Sequence, residues 1–250
     1  MSGMYELLAP FYDRLNGGLD YEGWADYVEA NFSCFPGRVQ DVLDLGCGTG
    51  NSTLPLARRG YGMIGVDASA GMLSVAQRRA AKEGLSILWL QQDMRAFELY
   101  GTVEAVTCCL DGVNHLLTPS DLAACFALVH NYLVPGGLFF FDVNSPYKFA
   151  HVFGDNAYIL EEGKVLCAWQ NCYRKGAKLC DFYISLFREE KDGRYTRTDT
   201  VQQERMYTPL ALQRALHAAG MELLAVHGDL AGNSPTEQTE RLYYIARAVK

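Results

Sequence analysis

The segment from Asp41 to Gly50, DVLDLGCGTG, constrains the fold of this chain more than any other. Apolar residues typical of a short buried strand come first, three glycines then alternate through a turn, and residues 52–59 follow with helical periodicity. Glycine adopts positive φ without strain and lets a ligand approach the backbone closely. The order of strand, glycine loop and helix therefore predicts a nucleotide-like binding site in an open α/β sheet.

The spacing of these glycines indicates which ligand the loop holds. The dinucleotide fingerprint is G-x-G-x-x-G around a pyrophosphate, whereas here the third glycine comes one residue early and Asn51 stands in the fingerprint position. Asp44, two residues before the loop, would repel a pyrophosphate and would suit a ligand with an ammonium group. The segment therefore favours a cationic nucleotide-like ligand over NAD.

The letters DLGCGTG resemble the first motif of the Rossmann-like, class I S-adenosylmethionine-dependent methyltransferases. The patterns D-A-S-x-x-M-L from Asp67 and L-x-P-G-G-x-F-x-F-D from Leu133 strengthen this resemblance. It implies an enzyme whose cofactor is S-adenosylmethionine. A non-catalytic protein that binds S-adenosylmethionine and an NAD-linked oxidoreductase are the alternatives.

The resemblance also implies a set of cofactor contacts. Asp67 follows the first glycine by 21 residues, the spacing expected of a carboxylate that binds ribose hydroxyls in either cofactor class. In the family pattern Met72 borders the adenine, Asp93 accepts from its amino group beside the Met94 N–H, and Tyr12 reaches the methionine end. The expected cofactor-binding residues are Tyr12, Asp44, Gly46, Cys47, Gly48, Gly50, Asp67, Ala68, Met72, Asp93, Met94, Cys109 and Leu110.

The succession of patterns predicts an α/β fold with a mostly parallel sheet. The resemblance implies that this Rossmann-like sheet has seven strands and that its last strand is antiparallel. Residues 1–154 and 208–250 are predicted to form this domain, with a helical cap over residues 1–40. A helix is expected over residues 120–134, ended by Pro135-Gly136-Gly137.

Between residues 155 and 207 the apolar period changes from 3.6 to 2, which predicts a small antiparallel β insert of three or four strands. Its turns are expected at Lys175-Gly176 and Asp192-Gly193. The insert resembles the β-lid of small-molecule N-methyltransferases. Formation of a homodimer through this sheet is the other role that we expect for it.

The fourth strand of the predicted sheet ends near the transferable methyl, because ligands of open α/β sheets lie outside the carboxyl ends of the strands. Asp111 and His115 follow that strand and are the candidate catalytic bases. The resemblance and the acidic character favour a small-molecule amine as acceptor, and an oxygen or carbon acceptor stays open. No metal site is expected, since the eight cysteines lack zinc-site spacing.

Composition limits the partners of the chain. A formal net charge of -7 argues against nucleic acid as the main partner, because such binding needs a basic surface. No apolar run reaches the roughly 18 residues of a membrane span, and the first residues do not have the pattern of a secretory signal. We therefore expect a cytoplasmic protein that binds neither nucleic acid nor membrane.

Overall fold

The computed structural model describes residues 19–250. Tyr12 and the first part of the predicted helical cap lie outside these residues, and the described part of the cap contains the helix α1. The helices are α1 Tyr21–Ala30, α2 Thr53–Arg58, α3 Ala70–Glu83, α4 Pro119–Tyr132 and α5 Pro209–Ala218. The strands are β1 Asp41–Leu45, β2 Gly62–Asp67, β3 Leu88–Gln91, β4 Val103–Cys108, β5 Leu133–Asn144, β6 Ala157–Glu162, β7 Val165–Arg174, β8 Leu179–Glu189, β9 Tyr195–Arg205, β10 Met221–His227 and β11 Arg241–Ala248.

Across residues 19–250 the larger sheet has seven strands in the order β10-β11-β5-β4-β1-β2-β3. Strands β1 to β5 pair in parallel, and β11 is antiparallel to both of its neighbours. The prediction of a mostly parallel sheet with a reversed last strand is confirmed. The strand order reverses between β1 and β4, which is where an open α/β sheet forms its ligand crevice.

Successive phenylalanines of β5 show how this sheet is covered on both faces. Phe139 and Phe141 pack against Phe126 of α4, whereas Phe140 points to the opposite face and contacts Phe32, which follows α1. Alternate strand residues point to opposite faces, so a run of apolar residues fills two layers at once. The sheet is therefore buried between helices and fixes the strand ends that form the crevice.

The junction of α4 and β5 differs from the prediction. Thr118 begins α4 with a capping box in which its hydroxyl and the Asp121 side chain exchange hydrogen bonds with the backbone. The helix ends at Tyr132, two residues before the predicted end, and residues 133–137 already belong to β5. Val103 pairs with Leu133 and Ala105 with Leu138, so the intervening residues form an irregularity within the strand pair.

The remaining four strands form a second, antiparallel sheet in the order β6-β7-β8-β9, within the segment predicted as an insert. Its turns include residues 175–176 and 192–193, as predicted. One face of this sheet carries a small apolar cluster that includes Phe182 and is completed by Phe149, from the π-helical segment after β5. In the described part of the chain, no helix has both the length and the apolar character needed to cross a membrane.

Candidate active site

A cavity opens at the carboxyl ends of β1, β2 and β4, beside the glycine loop. Many of the residues predicted to contact the cofactor line it, and so does His115. Tyr21, Ser52 and Arg95 also line it without being among the predicted contacts. The predicted residues on the cavity wall are Gly46, Cys47, Gly48, Asp67, Ala68, Met72, Asp93, Met94, Cys109 and Leu110.

The three glycines of the loop have different roles. Gly46, Gly48 and Gly50 all have positive φ, at 68°, 55° and 84°. A methyl group added at Gly48 would meet no atom of residues 19–250 within 4 Å, whereas at Gly50 it would meet Trp89 at 3.2 Å and Ala76 at 3.3 Å. Gly48 thus leaves the cavity open, and Gly50 allows the loop to pack on the fold without lining the cavity.

Asp67 stands at the end of β2 and faces the loop. Its carboxylate accepts hydrogen bonds from the backbone N–H groups of Gly48 at 2.9 Å and Ser69 at 2.8 Å. Burial raises the pKa of Asp67, and these two N–H donors oppose that effect. Ser69 in turn caps α3 by accepting from the Met72 N–H at 3.3 Å, which fixes Met72 against the cavity.

Asp44, which was predicted to face a cationic ligand, lies behind the cavity wall. Its carboxylate is 1% exposed and accepts hydrogen bonds from the hydroxyls of Ser52 at 2.9 Å, Thr53 at 2.6 Å and Thr107 at 2.9 Å. Burial raises the pKa of Asp44, and the three hydroxyls oppose that effect. Ser52, which donates to Asp44, lies on the cavity wall, whereas Asp44 itself does not line the cavity.

Asp93 lies on the cavity wall with a partner that the sequence did not indicate. The backbone N–H and the guanidinium of Arg95 donate to its carboxylate at 2.6–2.9 Å. These hydrogen bonds lower the pKa of Asp93 and keep the carboxylate ionised, as an acceptor for an adenine amino group requires.

The chain makes a strained turn directly after β4. Leu110 and Asp111 have φ of 53° and 57°, a left-handed conformation that non-glycine residues rarely adopt. The Asp142 carboxylate accepts from the backbone N–H groups of both residues, at 2.7 and 3.1 Å. Arg241 forms ion pairs with Asp142 and with Asp111 and so holds the turn from the opposite side. Burial raises the pKa of Asp142, and the Arg241 charge opposes that effect.

The two candidate catalytic bases lie close together, with a third acidic residue beside them. One ligand atom each from Asp111, His115 and Glu204 lie within 4.8 Å of one another. His115 lines the cavity, whereas Asp111 and Glu204 stand beyond it. Glu204 comes from β9 of the insert, and its carboxylate accepts a hydrogen bond from the side-chain amide of Asn144 at the end of β5.

Sequence reasoning missed Asp142, Glu204, Arg241 and Asn144. Asp142 had a weak signal, because it is a single acid after four apolar strand residues. The other three have no local pattern, since they reach the site from distant segments of the chain.

The residues on the wall fit the cofactor that the first motif implies. Met72 and Met94 offer apolar surface of the kind an adenine ring contacts, and the Asp67 carboxylate has the chemistry that ribose hydroxyls require. The open space above Gly48 admits a ligand against the backbone. Ser52, backed by the Asp44 carboxylate, would face the polar methionine end.

Comparisons with known proteins agree with this arrangement. Residues 42–137 match a family model described as a methyltransferase domain. A protein of Geobacillus sp. (strain WCH70) named as a methyltransferase is 30% identical over 246 residues, which cover 97% of this chain and 99% of that protein. The cypemycin N-terminal methyltransferase of a Streptomyces species is 25% identical over 207 residues, covering 82% of this chain and 81% of that one.

A solved structure agrees over the full fold. The S-adenosylmethionine-dependent methyltransferase from Clostridium acetobutylicum ATCC 824 is 30% identical, with a TM-score of 0.89 over 98% of this chain and 99% of that chain. The glycine loop, the ribose carboxylate and the strand order lead to the same assignment. The chain therefore belongs to the class I S-adenosylmethionine-dependent methyltransferases.

Proposed function

We propose that this methyltransferase transfers the methyl group to the nitrogen of a small-molecule amine. The observation that carries the proposal is the acidic character of the edge beyond the cavity, where Asp111 and Glu204 accompany His115. A protonated amine is attracted to such an edge, whereas a neutral hydroxyl gains less from it. The Streptomyces relative, which is named as an N-terminal methyltransferase, supports nitrogen as the acceptor atom.

The chain has two tasks in this reaction. When bound, S-adenosylmethionine supplies an electrophilic sulfonium methyl, which the acceptor nitrogen attacks as the carbon–sulfur bond breaks and the electron pair stays on sulfur. The cavity wall orients the acceptor and excludes water, which favours a step in which charge is dispersed. An acceptor that arrives as an ammonium ion must lose a proton first, and the cluster of Asp111, His115 and Glu204 beside the cavity offers groups that can take it.

We also propose that the enzyme acts in the cytoplasm on a small metabolite. All eight cysteines are free thiols, as is usual in a reducing compartment. The formal net charge of -7 supports a partner other than nucleic acid.

The proposal is tested by measuring the release of S-adenosylhomocysteine from S-adenosylmethionine with two matched sets of acceptors. One set contains small primary and secondary amines, including amino acids and amino sugars, and the other contains the corresponding alcohols. We expect turnover above the acceptor-free rate with members of the amine set and an N-methyl product by mass spectrometry. Turnover confined to the alcohols would identify an O-methyltransferase and contradict the proposal.

A further inference from the structure

Glu204 is an acid that the insert delivers to the catalytic edge of the larger sheet. It lies one residue before the end of β9 and is 6% exposed. The Asn144 amide nitrogen donates to its carboxylate at 2.8 Å. The Arg205 carbonyl next to it accepts from the Asn114 amide at 2.8 Å, so the end of β9 is tied to the parent domain.

The hydrogen bonding around Glu204 is incomplete. Arg241 is bound to Asp111 and Asp142, and no Lys or Arg of the described residues forms an ion pair with Glu204. Asn144 is 1% exposed, and its side-chain oxygen has no hydrogen-bond partner within residues 19–250. Buried acceptors are normally satisfied, so the unpaired Asn144 oxygen, beside a carboxylate whose donor among the described residues is the Asn144 amide, points to a ligand with several N–H groups.

An ammonium ion has the chemistry that these groups lack. It carries three donors and a positive charge, and Asp111 and His115 stand within 4.8 Å of the Glu204 carboxylate as further polar neighbours. A divalent metal fits less well, because the Arg241 guanidinium already occupies one oxygen of Asp111. Lys148, whose charge also acts on Glu204, would repel a divalent ion about twice as strongly as a singly charged ammonium at the same place.

We propose that Glu204 binds the ammonium group of the acceptor and takes one proton from it, which makes the insert part of the acceptor site. The N–H bond of the ammonium breaks, an O–H bond forms on Glu204, and the nitrogen lone pair becomes available to the methyl group. The proton passes to solvent when the product leaves. This inference rests on the proposed amine acceptor and adds the residue that recognises its charge.

The proton affinity of Glu204 agrees with this role. Burial raises its pKa well above the ordinary value, and the Asp111 charge raises it further. The Asn144 amide and the charges of Arg241 and Lys148 act in the opposite direction. A carboxylate with a raised pKa accepts a proton from an amine more readily than an exposed one, because the two proton affinities are closer.

The test uses sinefungin, a cofactor analogue that carries an ammonium group in place of the sulfonium methyl, and needs no knowledge of the acceptor. Binding of sinefungin and of S-adenosylhomocysteine is measured by calorimetry for the wild type, Glu204→Gln, Glu204→Asp and Glu190→Gln. Gln at position 204 still accepts from Asn144, and Glu190→Gln makes the same chemical change in the exposed turn after β8. Thermal unfolding of each variant shows that it is folded.

We expect Glu204→Gln to weaken sinefungin at least fivefold while S-adenosylhomocysteine changes less than twofold. Glu204→Asp should recover part of the loss, and Glu190→Gln should match the wild type. Equal effects on both ligands, or no effect, would overturn the inference, as would wild-type activity that is lost in EDTA and restored by Mg²⁺ or Zn²⁺.

A kinetic measurement separates this inference from the proposed function. With an amine that the wild type methylates, Glu204→Gln should lower kcat/KM at least tenfold and remove the ascending limb of its pH profile. Amine turnover with an unchanged profile would refute the role of Glu204 and leave the proposed function intact. Selective loss of sinefungin binding in Glu204→Gln, together with turnover of no amine, would show that Glu204 binds an ammonium group but would refute the proposed function and with it the proton transfer.

Discussion

Gly48 and Gly163 hold nearly the same backbone angle in two very different places. Their φ values are 55° and 60°, and an added methyl group would meet no atom of the described chain within 4 Å at either position. A left-handed alanine costs about 1–2 kcal/mol wherever it occurs. Gly48 borders the cavity, whereas Gly163 lies in the turn between β6 and β7. Alanine at either position should therefore introduce the same backbone strain, but only alanine at Gly48 can affect the binding of a ligand in the cavity.

We predict that Gly48→Ala and Gly163→Ala lower the melting temperature by similar amounts, while only Gly48→Ala weakens S-adenosylmethionine. The added methyl group occupies space that the cofactor needs, so its Kd should rise at least tenfold by calorimetry. Gly163→Ala should bind as the wild type does. Similar affinities in the two variants would show that the loop does not meet the cofactor at Gly48.

The buried carboxyl of Glu204 predicts a pH-dependent stability difference. Its pKa is raised by burial in the folded protein, so between the unfolded pKa of about 4.3 and that raised value the folded state holds a proton that the unfolded state has lost. Stability contributed by this group therefore falls as pH rises through that window. The variant Glu204→Gln has no carboxyl to titrate at this position. Its free energy of unfolding should therefore exceed that of the wild type by an amount that grows from pH 4 toward neutral pH.

Chemical denaturation of wild type and Glu204→Gln between pH 4 and pH 8 measures this difference, with Glu190→Gln as the control. Glu190 is exposed, and its hydrogen bonds with Thr196 and Arg188 lower its pKa, so its replacement should not produce a gain that grows with pH. A constant difference between wild type and Glu204→Gln at all pH values would show that the carboxyl is not perturbed by folding.

Residues differ in how far sequence alone could place them. Asp67 was predictable because a glycine loop, a helix and a strand of standard lengths bring the end of β2 beside the loop. Asp44 was predicted as a direct contact, yet three hydroxyl donors that no pattern announces enclose it. Glu204 and Arg241 were not predictable, since their partners lie 60 positions away for Glu204 and 99 and 130 positions away for Arg241.

At the scale of elements, the start of β11 is joined to the turn after β4 by Arg241. Arg247 lies on the same strand and forms an exposed ion pair with Glu222. Removing one partner of a buried ion pair typically costs about 3–5 kcal/mol because a charge is left without compensation. An exposed pair is worth about 0–1 kcal/mol. The two arginines of β11 thus form a matched comparison.

We predict that Arg241→Met lowers the free energy of unfolding by several kcal/mol and that Arg247→Met changes it by less than about 1 kcal/mol. Denaturant unfolding monitored by circular dichroism measures both. The double variant Arg241→Met/Asp142→Asn should be more stable than Arg241→Met alone, because the uncompensated carboxylate is removed. Equal losses for the two arginines would show that the buried pairs do not hold the turn.

Element boundaries show where local pattern is insufficient. The sequence Pro-Gly-Gly after α4 is typical of a helix end, and the helix does end just before it. The backbone then continues directly into β5, because Leu133 already pairs with Val103 of the neighbouring strand. Strand pairing over 30 residues of sequence decided this boundary, and periodicity within the helix could not reveal it.

At the scale of the whole molecule, the seven-stranded sheet and the reversed β11 followed from the family resemblance, whereas the docking of the insert did not. An alternating pattern predicts that residues 155–207 form a sheet, but it does not say which end of that sheet meets the parent domain. The contacts of Arg205 and Tyr207 with residues after β4 decide it, and they place Glu204 at the catalytic edge.

The separate apolar cluster of the insert leads to the last prediction. Phe182 is fully buried there against Phe153 and Trp169, whereas Phe139 is buried in the central sheet against Phe126 and Phe141. Truncation of a buried phenylalanine costs about 3–5 kcal/mol at either place. Phe182→Ala should therefore speed amide hydrogen exchange in β6–β9 but not in β1–β5, lower amine turnover at least tenfold, and change the Kd of S-adenosylmethionine less than threefold.

The control variant Phe139→Ala should speed exchange in the central sheet and also weaken the binding of S-adenosylmethionine. Faster exchange throughout the protein in Phe182→Ala would mean that the two sheets unfold as one unit, and the insert could then not be disturbed without the cofactor site.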